Sequence, residues 1–201
     1  MHHPKQATEA LMRVRKMPFT SALDAGCGTG LAGPYLRPLV DGPLVGVDIS
    51  QRMLDIAAQC TTREGCGAEA VAENGQAERP LYDGLMPLDL ETMTLDETLG
   101  AGSGFELIVA ADVLVYFGKL GPLLANFAAL SAPGAPLIFS CERATEEEAP
   151  DGWRLLPSGR FAHTKGYVLA EAAAAGYHLI AYQEITPRYE KNEPVRGHLF
   201  T

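Results

Sequence analysis

Short apolar runs alternate with longer stretches of mixed polarity along most of the chain. The apolar runs are typical of strands, and the stretches between them carry apolar residues at helical spacing. The predicted strands cover residues 21–25, 44–49, 81–90, 105–114, 136–141, 177–185 and 195–201. The last two are close enough along the chain to pair antiparallel. The pattern therefore predicts an α/β fold with a doubly wound, mostly parallel seven-stranded sheet and a final antiparallel strand.

Six helices are predicted before and between these strands, at residues 5–17, 31–39, 51–59, 91–99, 120–132 and 165–175. Pro34 lies in the first turn of the second helix, where its missing N–H costs little, and Ser50 is placed to cap the third. Residues 61–80 hold almost no large apolar side chain, which predicts a flexible insertion. The chain as a whole, residues 1–201, is most simply one domain.

The composition is that of an ordinary globular protein, with 47% hydrophobic and 20% charged residues. The net charge of −9 argues against a nucleic-acid partner, because binding a phosphate backbone requires a basic face. No apolar run reaches the ~18 residues of a membrane span, and no signal-peptide pattern is present. The cysteines lack the spacing of a zinc site, so we predict no metal and expect reduced thiols in a cytoplasmic protein. The oligomeric state is left open.

The first strand runs into Asp24-Ala25-Gly26-Cys27-Gly28-Thr29-Gly30, with glycines at alternate positions. Such a loop lets the backbone approach a ligand where a Cβ atom would clash, and the start of the next helix favours a carboxylate or a phosphate. Two ligand classes fit this motif. The stretch from Gly28 to Gly33 matches the dinucleotide pattern G-x-G-x-x-G, whereas the longer string includes the acid at the strand end.

Four predicted strands end at an acid, namely Asp24, Asp48, Asp89 and Asp112. Ligands of open α/β sheets lie across the carboxyl ends of the strands, so we expect these acids to line one crevice. Asp48 follows Gly30 by about 18 residues, close to the ~20 at which an acid binds ribose hydroxyls in such folds. One carboxylate can accept from both hydroxyls. The alternative for Asp48 is an acid favoured only by the dipole of the next helix.

The string from Asp24 to Gly30 resembles the first motif of class I S-adenosylmethionine-dependent methyltransferases, and a closing antiparallel strand pair is the ending of that fold. Residues 110–118, residues 156–163 and the tail around Arg188 look like a subgroup, the predicted small methyltransferase domains often attached to tetratricopeptide repeats. No such repeat is present, and the insertion departs from the subgroup. Since the chain begins just before the first strand, the helices that usually cover the substrate pocket are largely absent, which implies that a partner or a further segment supplies them.

The resemblance implies S-adenosylmethionine as cofactor, S-adenosylhomocysteine as product and a small-molecule acceptor. The glycines would wrap the methionine portion, Asp24 would orient the loop and Asp48 would hold the ribose. Ile49 would lie against adenine, Asp89 would accept from the adenine amino group, and Met53 would pack either near adenine or in the helix core. The residues assigned to the cofactor are Asp24, Gly26, Cys27, Gly28, Gly30, Asp48, Ile49, Met53, Asp89, Leu90 and Ala111.

Methyl transfer needs an acceptor aligned with the sulfonium methyl group, and a general base only if the acceptor arrives protonated. The candidates for catalysis are Asp112, Tyr116 and His163; their structural alternatives are a cap on the strand end, a pocket wall and a structural loop histidine. Arg160 either binds an acidic acceptor or pairs with nearby glutamates. Two other functions stay open: a nicotinamide-dependent oxidoreductase, although no Tyr-x-x-x-Lys pair is present, and a non-catalytic cofactor-binding module.

Overall fold

The computed structural model describes residues 18–61, 79–98 and 102–201, which fall into two compact units. The N-terminal unit comprises residues 18–61, 79–98, 102–109 and 130–136, and the C-terminal unit comprises residues 110–129 and 137–201. The helix predicted at residues 5–17 and most of the insertion predicted at 61–80 lie outside the described residues.

Four short strands form the sheet of the N-terminal unit: β1 (Ala22–Ala25), β2 (Leu44–Val47), β3 (Gly84–Met86) and β4 (Leu107–Ala110). They lie in the order β3-β2-β1-β4, and every neighbouring pair is parallel. β1, β2 and β4 are buried along their whole length, which explains their continuous apolar runs, since a parallel sheet is covered on both faces. β3 is only half-buried and lies at the end of this strand order.

The helices of this unit are α1 (Gly33–Leu36), which continues as a 3₁₀ turn over Arg37–Leu39, then α2 (Gln51–Ala57) and α3 (Leu95–Thr98). The helix predicted at 31–39 is divided, because Pro38 lacks the N–H that an α-helix would bond. Ser50 lies at the N-cap of α2, but its side chain accepts no hydrogen bond there, so the predicted cap is wrong. The backbone N–H of Ser50 instead donates to Asp48 Oδ1 at 2.9 Å.

The C-terminal unit begins with a 3₁₀ turn at Leu114–Tyr116 and contains α4 (Gly121–Leu130), β5 (Leu137–Arg143), β6 (Trp153–Leu155), β7 (Phe161–His163), α5 (Lys165–Ala174), β8 (Tyr182–Ile185), β9 (Tyr189–Glu190), β10 (Glu193–Pro194) and β11 (Gly197–Phe200). β11 lies between β5 and β8 and is antiparallel to both. Phe200 stacks on Phe139 of β5, with ring centroids 5.2 Å apart. The final antiparallel strand is therefore present, as predicted.

Two strand pairs in this unit were not predicted. β6 and β7 form an antiparallel pair beside β5, and the Trp153 and Phe161 rings meet edge to face at 5.4 Å. β9 and β10 form a hairpin whose two turn residues, Lys191 and Asn192, both have positive φ. This turn geometry matches the right-handed twist of short hairpins. Strands of two or three residues are too short to produce an alternating pattern, which is why the sequence did not indicate them.

The cysteines differ in part from the prediction. Cys27 and Cys141 are free and buried, as expected of small apolar side chains. Cys60 is disulfide-bonded, so the prediction that all cysteines are reduced thiols is wrong. The prediction for Cys66 lies outside the described residues. Spacing along a chain does not reveal which thiols meet. Among the helices of residues 18–61, 79–98 and 102–201, none is long and apolar enough to cross a membrane.

Candidate functional site

The loop after β1 is built on three glycines in the left-handed region. Gly26, Gly28 and Gly30 have φ of 73°, 53° and 86°. An L-residue with a Cβ atom pays about 1–2 kcal/mol in that conformation, so the loop can form at low cost only with glycine. The backbone N–H groups of Gly26 and Cys27 both donate to Val47 O, at 2.8 and 2.9 Å, which ties the loop to the end of β2. The loop is therefore a fixed turn.

The surface over Gly28 is open. A Cβ atom built on Gly28 would meet no heavy atom within 4 Å, in contrast to Gly33 and Gly46, where it would press on the Tyr82 ring. Packing of the protein thus explains the small residue at positions 33 and 46. It does not explain Gly28, where positive φ and a ligand against the backbone are the remaining reasons for glycine.

Asp48 is held against the centre of this loop. Its Oδ2 accepts from Gly28 N at 3.0 Å, and its Oδ1 accepts from Ser50 N at 2.9 Å. Each carboxylate oxygen has a second lone pair, so Asp48 keeps capacity for two further donors. The two predicted features, the glycine motif and the acid at the end of the next strand, are brought together by direct hydrogen bonds. This arrangement fixes a carboxylate in a position to accept from paired hydroxyl groups.

Asp24 lies in β1, inside the protein. It is 1% exposed, and its Oδ2 accepts a hydrogen bond from the Tyr82 hydroxyl at 2.6 Å. Burial raises the pKa of Asp24 to about 6, the Tyr82 bond opposes that rise, and the charge of Asp48 adds to it. Asp24 is therefore a buried carboxyl paired with Tyr82, and its role in orienting the loop stays a prediction. Tyr82 is a site residue that sequence reasoning missed, because a tyrosine just before a short strand carries no signal for this contact.

Replacing Tyr82 with phenylalanine is expected to lower the free energy of unfolding by about 1–3 kcal/mol, because the buried Asp24 carboxyl loses its donor. The same change should raise the pKa of Asp24 further above its ordinary value, since the Tyr82 bond lowers it. Denaturant unfolding at neutral pH measures the first effect. Tyr189→Phe, which removes a hydroxyl from an exposed tyrosine, is the matched control. Equal stability of the two variants would contradict the role given to Tyr82.

Apolar side chains next to Asp48 are exposed. Ile49 is 78% exposed and Met53 on α2 is 41% exposed, so Met53 does not belong to the helix core. Asp89 is exposed too, and its Oδ1 accepts from Glu91 N at 2.9 Å, whereas Leu90 is buried. The exposure of Ile49 and Met53 leaves both side chains accessible to a ligand, as their predicted place against adenine requires.

In the C-terminal unit, Asp112 follows the end of β4 in a strained conformation. Its φ is 58°, unusual for a residue with a side chain. Its backbone N–H donates to Ser140 Oγ at 2.9 Å, and its Oδ1 accepts from Arg188 Nη1 at 2.8 Å. The half-exposed carboxylate is thus fixed from two sides. Arg188 was noted in the sequence only through the resemblance of the tail, and the contact with Asp112 was not predicted.

His163 on β7 anchors the loop that carries Tyr116. It is 0% exposed, and its Nε2 lies 2.9 Å from Phe117 O and 3.2 Å from Gly118 O. Both partners are acceptors, so Nε2 carries the hydrogen and donates. Nδ1 is buried with no hydrogen-bond partner among the described residues, and burial lowers the pKa of the ring. Tyr116, in contrast, is 62% exposed.

The predicted site residues divide between the units. The N-terminal unit holds Asp24, Asp48 and Asp89, while Ala111, Asp112, Tyr116 and His163 belong to the C-terminal unit. Each set is organised by contacts within its own unit. The single crevice lined by four acids stays a prediction, and so do the individual catalytic and cofactor-binding roles. No group of three or more possible metal ligands occurs within the described part of the chain.

A family model described as a methyltransferase domain matches residues 23–137. An O-methyltransferase of Pyrenophora dematioidea is 24% identical over 148 residues, which are 73% of this chain and 48% of that protein. The chain thus spans about half the length of this curated relative. The matched stretch begins in β1 and contains the glycine loop, Asp48 and Asp112.

Two solved structures show the same fold. The magnesium protoporphyrin IX methyltransferase from Synechocystis PCC 6803, solved with S-adenosylhomocysteine bound, has a TM-score of 0.67 at 18% identity and covers 98% of this chain and 81% of its own. The 1,6-didemethyltoxoflavin-N1-methyltransferase of Burkholderia thailandensis, bound to 1,6-didemethyltoxoflavin and S-adenosylhomocysteine, has a TM-score of 0.68 at 15% identity and covers 98% of this chain and 76% of its own. The predicted fold, mostly parallel and Rossmann-like with a final antiparallel strand, is confirmed. Since the family model covers more than half of the 201 residues, the chain belongs to the methyltransferase family and has the fold of its S-adenosylmethionine-dependent enzymes.

Proposed function

We propose that this methyltransferase transfers the methyl group of S-adenosylmethionine to a small-molecule acceptor and releases S-adenosylhomocysteine. The observation that carries the proposal is the left-handed glycine loop with the Asp48 carboxylate hydrogen-bonded to Gly28 at its centre. The acceptors named for the two structural neighbours, a porphyrin and a toxoflavin precursor, are small molecules and support the acceptor class. The net charge of −9 supports the absence of a nucleic-acid partner.

The residues of the N-terminal unit fit this cofactor. Open space over Gly28 leaves room for the methionine portion against the backbone. The free lone pairs of Asp48 suit the two ribose hydroxyls, and the exposed Ile49 and Met53 offer an apolar surface to adenine. Asp89 has an exposed carboxylate for the adenine amino group. Gly26, Cys27, Gly30 and Leu90 complete the proposed set in this unit, and Asp24 orients the loop. Ala111 of the C-terminal unit is included on the sequence prediction.

Bound S-adenosylmethionine supplies an electrophilic methyl group, so the protein has to position the acceptor and exclude water. Asp112 is the residue we assign to an acceptor that arrives protonated: its carboxylate accepts the proton as the acceptor atom is methylated. Tyr116, exposed on the following loop, forms the wall of the acceptor pocket. His163 fixes that loop through two carbonyl groups, which makes it a positioning residue in this proposal. A catalytic role for Tyr116 or His163 stays a prediction.

Calorimetric titration of the purified chain with S-adenosylmethionine, S-adenosylhomocysteine and NADH tests the cofactor. We expect micromolar binding of the first two and no binding of NADH. Binding of NADH alone would favour the oxidoreductase that the G-x-G-x-x-G pattern allows. Turnover with a panel of small acceptors then separates an enzyme from a non-catalytic cofactor-binding module.

Gly28→Ala is expected to weaken S-adenosylmethionine binding at least tenfold, because the new methyl group enters the open space over the loop. Gly134→Ala is the matched control: Gly134 also has positive φ, 75°, and a Cβ atom there also meets nothing within 4 Å. Both variants should lose a similar free energy of unfolding, about 1–2 kcal/mol from backbone strain. Equal cofactor affinity in the two variants would show that no ligand lies over Gly28.

The proposal also covers the subgroup of the family, the cellular location and the domain organisation of the protein. The resemblance of residues 110–118 and 156–163 to the domains associated with tetratricopeptide repeats supports a place in that subgroup. The cytoplasmic location and the organisation of residues 1–201 as one domain stay predictions from the sequence.

A further inference from the structure

Two arginines of the C-terminal unit share one glutamate oxygen. Glu190 Oε1 accepts from Arg188 Nε at 2.9 Å and also from Arg160 Nη1. We call the space between these two guanidinium groups, where the Glu190 carboxylate lies, the Glu190 slot. Arg160 lies just before β7, and Glu190 is the last residue of β9, so the slot joins two strand pairs that are distant in the sequence.

Arg188, one of the two arginines of the slot, is held without Glu190. Arg188 also binds Asp112 through Nη1 at 2.8 Å and the buried Glu142 through Nη2. With Glu190 removed, Arg188 would still be held by two carboxylates. Arg160 has no other ion pair among the described residues, so loss of the Glu190 charge would leave its guanidinium unmatched.

The glutamate side of the slot is lightly held. Glu190 is carried by the β9–β10 hairpin, in which each strand has two residues. The adjacent turn residues, Lys191 and Asn192, are exposed. Hairpins of this size have little stability of their own, so the main cost of moving the carboxylate is the loss of its two ion pairs, which a ligand carboxylate in the slot would replace.

The position of the slot relates it to the acceptor. One guanidinium, that of Arg188, contacts both Glu190 and Asp112, the residue assigned to the acceptor proton. A ligand carboxylate in the slot would therefore place the rest of its molecule beside Asp112. The planar guanidinium group matches the geometry of carboxylates and phosphates, which it binds through paired N–H donors.

We propose that the Glu190 slot is the subsite for an anionic group of the acceptor, a carboxylate in the simplest case, and that Glu190 occupies it as an internal stand-in until the acceptor binds. This inference rests on the proposed function for its acceptor, but the anion subsite itself needs no cofactor. The charge balance agrees with it. Arg160 and Arg188 face Asp112, Glu142 and Glu190, and exchanging the Glu190 carboxylate for that of a ligand leaves the net charge of the cluster unchanged.

The test uses benzoate as the probe and benzamide as its uncharged match, with binding followed by NMR titration of the whole chain. Glu190→Gln removes the competing charge and keeps the side-chain shape, so benzoate should bind at least fivefold tighter than to the unchanged protein, while benzamide binding stays the same. Glu193→Gln is the matched control, because it removes one negative charge from the same hairpin and Glu193 makes no ion pair with either arginine. Adding Arg160→Gln to Glu190→Gln should abolish the increase in benzoate affinity.

An equal gain in benzoate affinity from Glu190→Gln and Glu193→Gln would show a general effect of charge and overturn the subsite. The subsite would also be overturned if benzoate affinity rose as much in the double variant that lacks Arg160. An equal rise in affinity for benzoate and benzamide would overturn it too. Thermal unfolding and S-adenosylmethionine affinity are measured for each variant and should stay close to those of the unchanged protein. Failure of the unchanged protein to bind S-adenosylmethionine would count against the proposed function alone, since the benzoate titration contains no cofactor.

Discussion

Asp48→Ala is expected to weaken S-adenosylmethionine binding by about a hundredfold. The substitution removes the carboxylate that accepts from the two ribose hydroxyls. A hydrogen bond to a charged group contributes about 1.5–3 kcal/mol. Two such bonds correspond to roughly two or more factors of ten, at 1.4 kcal/mol for each factor. The loop would lose the Gly28 N contact at 3.0 Å as well. Calorimetric titration of the variant with S-adenosylmethionine and S-adenosylhomocysteine gives the measurement.

Asp55→Ala is the control for that experiment. Asp55 lies on α2, is exposed, and its Oδ1 accepts from the side chain of Gln51 at 2.9 Å. The substitution removes the same charge a short distance along the chain without touching the glycine loop. A change of less than tenfold in Asp48→Ala, or an equal loss in both variants, would remove Asp48 from the cofactor site.

The free energy of unfolding should depend on pH through the ionisation of Asp24. Burial raises its pKa from an ordinary 3.8 to about 6 in the folded state. Between those pH values the folded protein holds a proton that the unfolded chain has released, so the Asp24 contribution to stability falls as pH rises from about 4 to 6 and stays low above that range. The shift of about two pKa units corresponds to roughly 3 kcal/mol at 1.36 kcal/mol per unit.

Asp24→Asn should remove this dependence, because the amide does not ionise and its oxygen can still accept from Tyr82. The free energy of unfolding of the variant, minus that of the unchanged protein, is expected to grow by about 3 kcal/mol between pH 4 and pH 7.5. Urea unfolding at intervals across that range measures it. Asp55→Asn, which alters an exposed carboxylate, should give a nearly constant difference. Parallel stability curves for Asp24→Asn and the unchanged protein would refute the buried, proton-holding state of Asp24.

The strands and the glycine loop could be predicted because each depends on residues that are neighbours in the chain. A strand buried on both faces needs a continuous apolar run, which β1, β2 and β4 have. A left-handed loop needs glycine, and the glycines at 26, 28 and 30 stand at the positions with positive φ. Helix ends were less predictable: Ser50 has the side chain of a cap, yet the nearby Asp48 carboxylate took the bond to its backbone.

The contacts that only the tertiary structure decided join residues far apart in the sequence. Tyr82 reaches Asp24 across 58 positions, and Arg188 reaches Asp112 across 76. His163 is buried on β7 and bonds the carbonyl groups of Phe117 and Gly118, a contact that its residue type did not indicate. Cys60 acquired a disulfide that its spacing did not indicate.

The sequence by itself determined the fold class, the family and the loop over which the cofactor is proposed to lie, because local backbone geometry and strand burial restrict which amino acids can occupy each position. The tertiary structure decided the state of each side chain: which carboxylate is buried and raised in pKa, which is held by two backbone N–H groups, and which shares an arginine with its neighbours. Charge state and hydrogen-bond partner depend on burial and on groups brought together by folding, and no stretch of sequence contains that information.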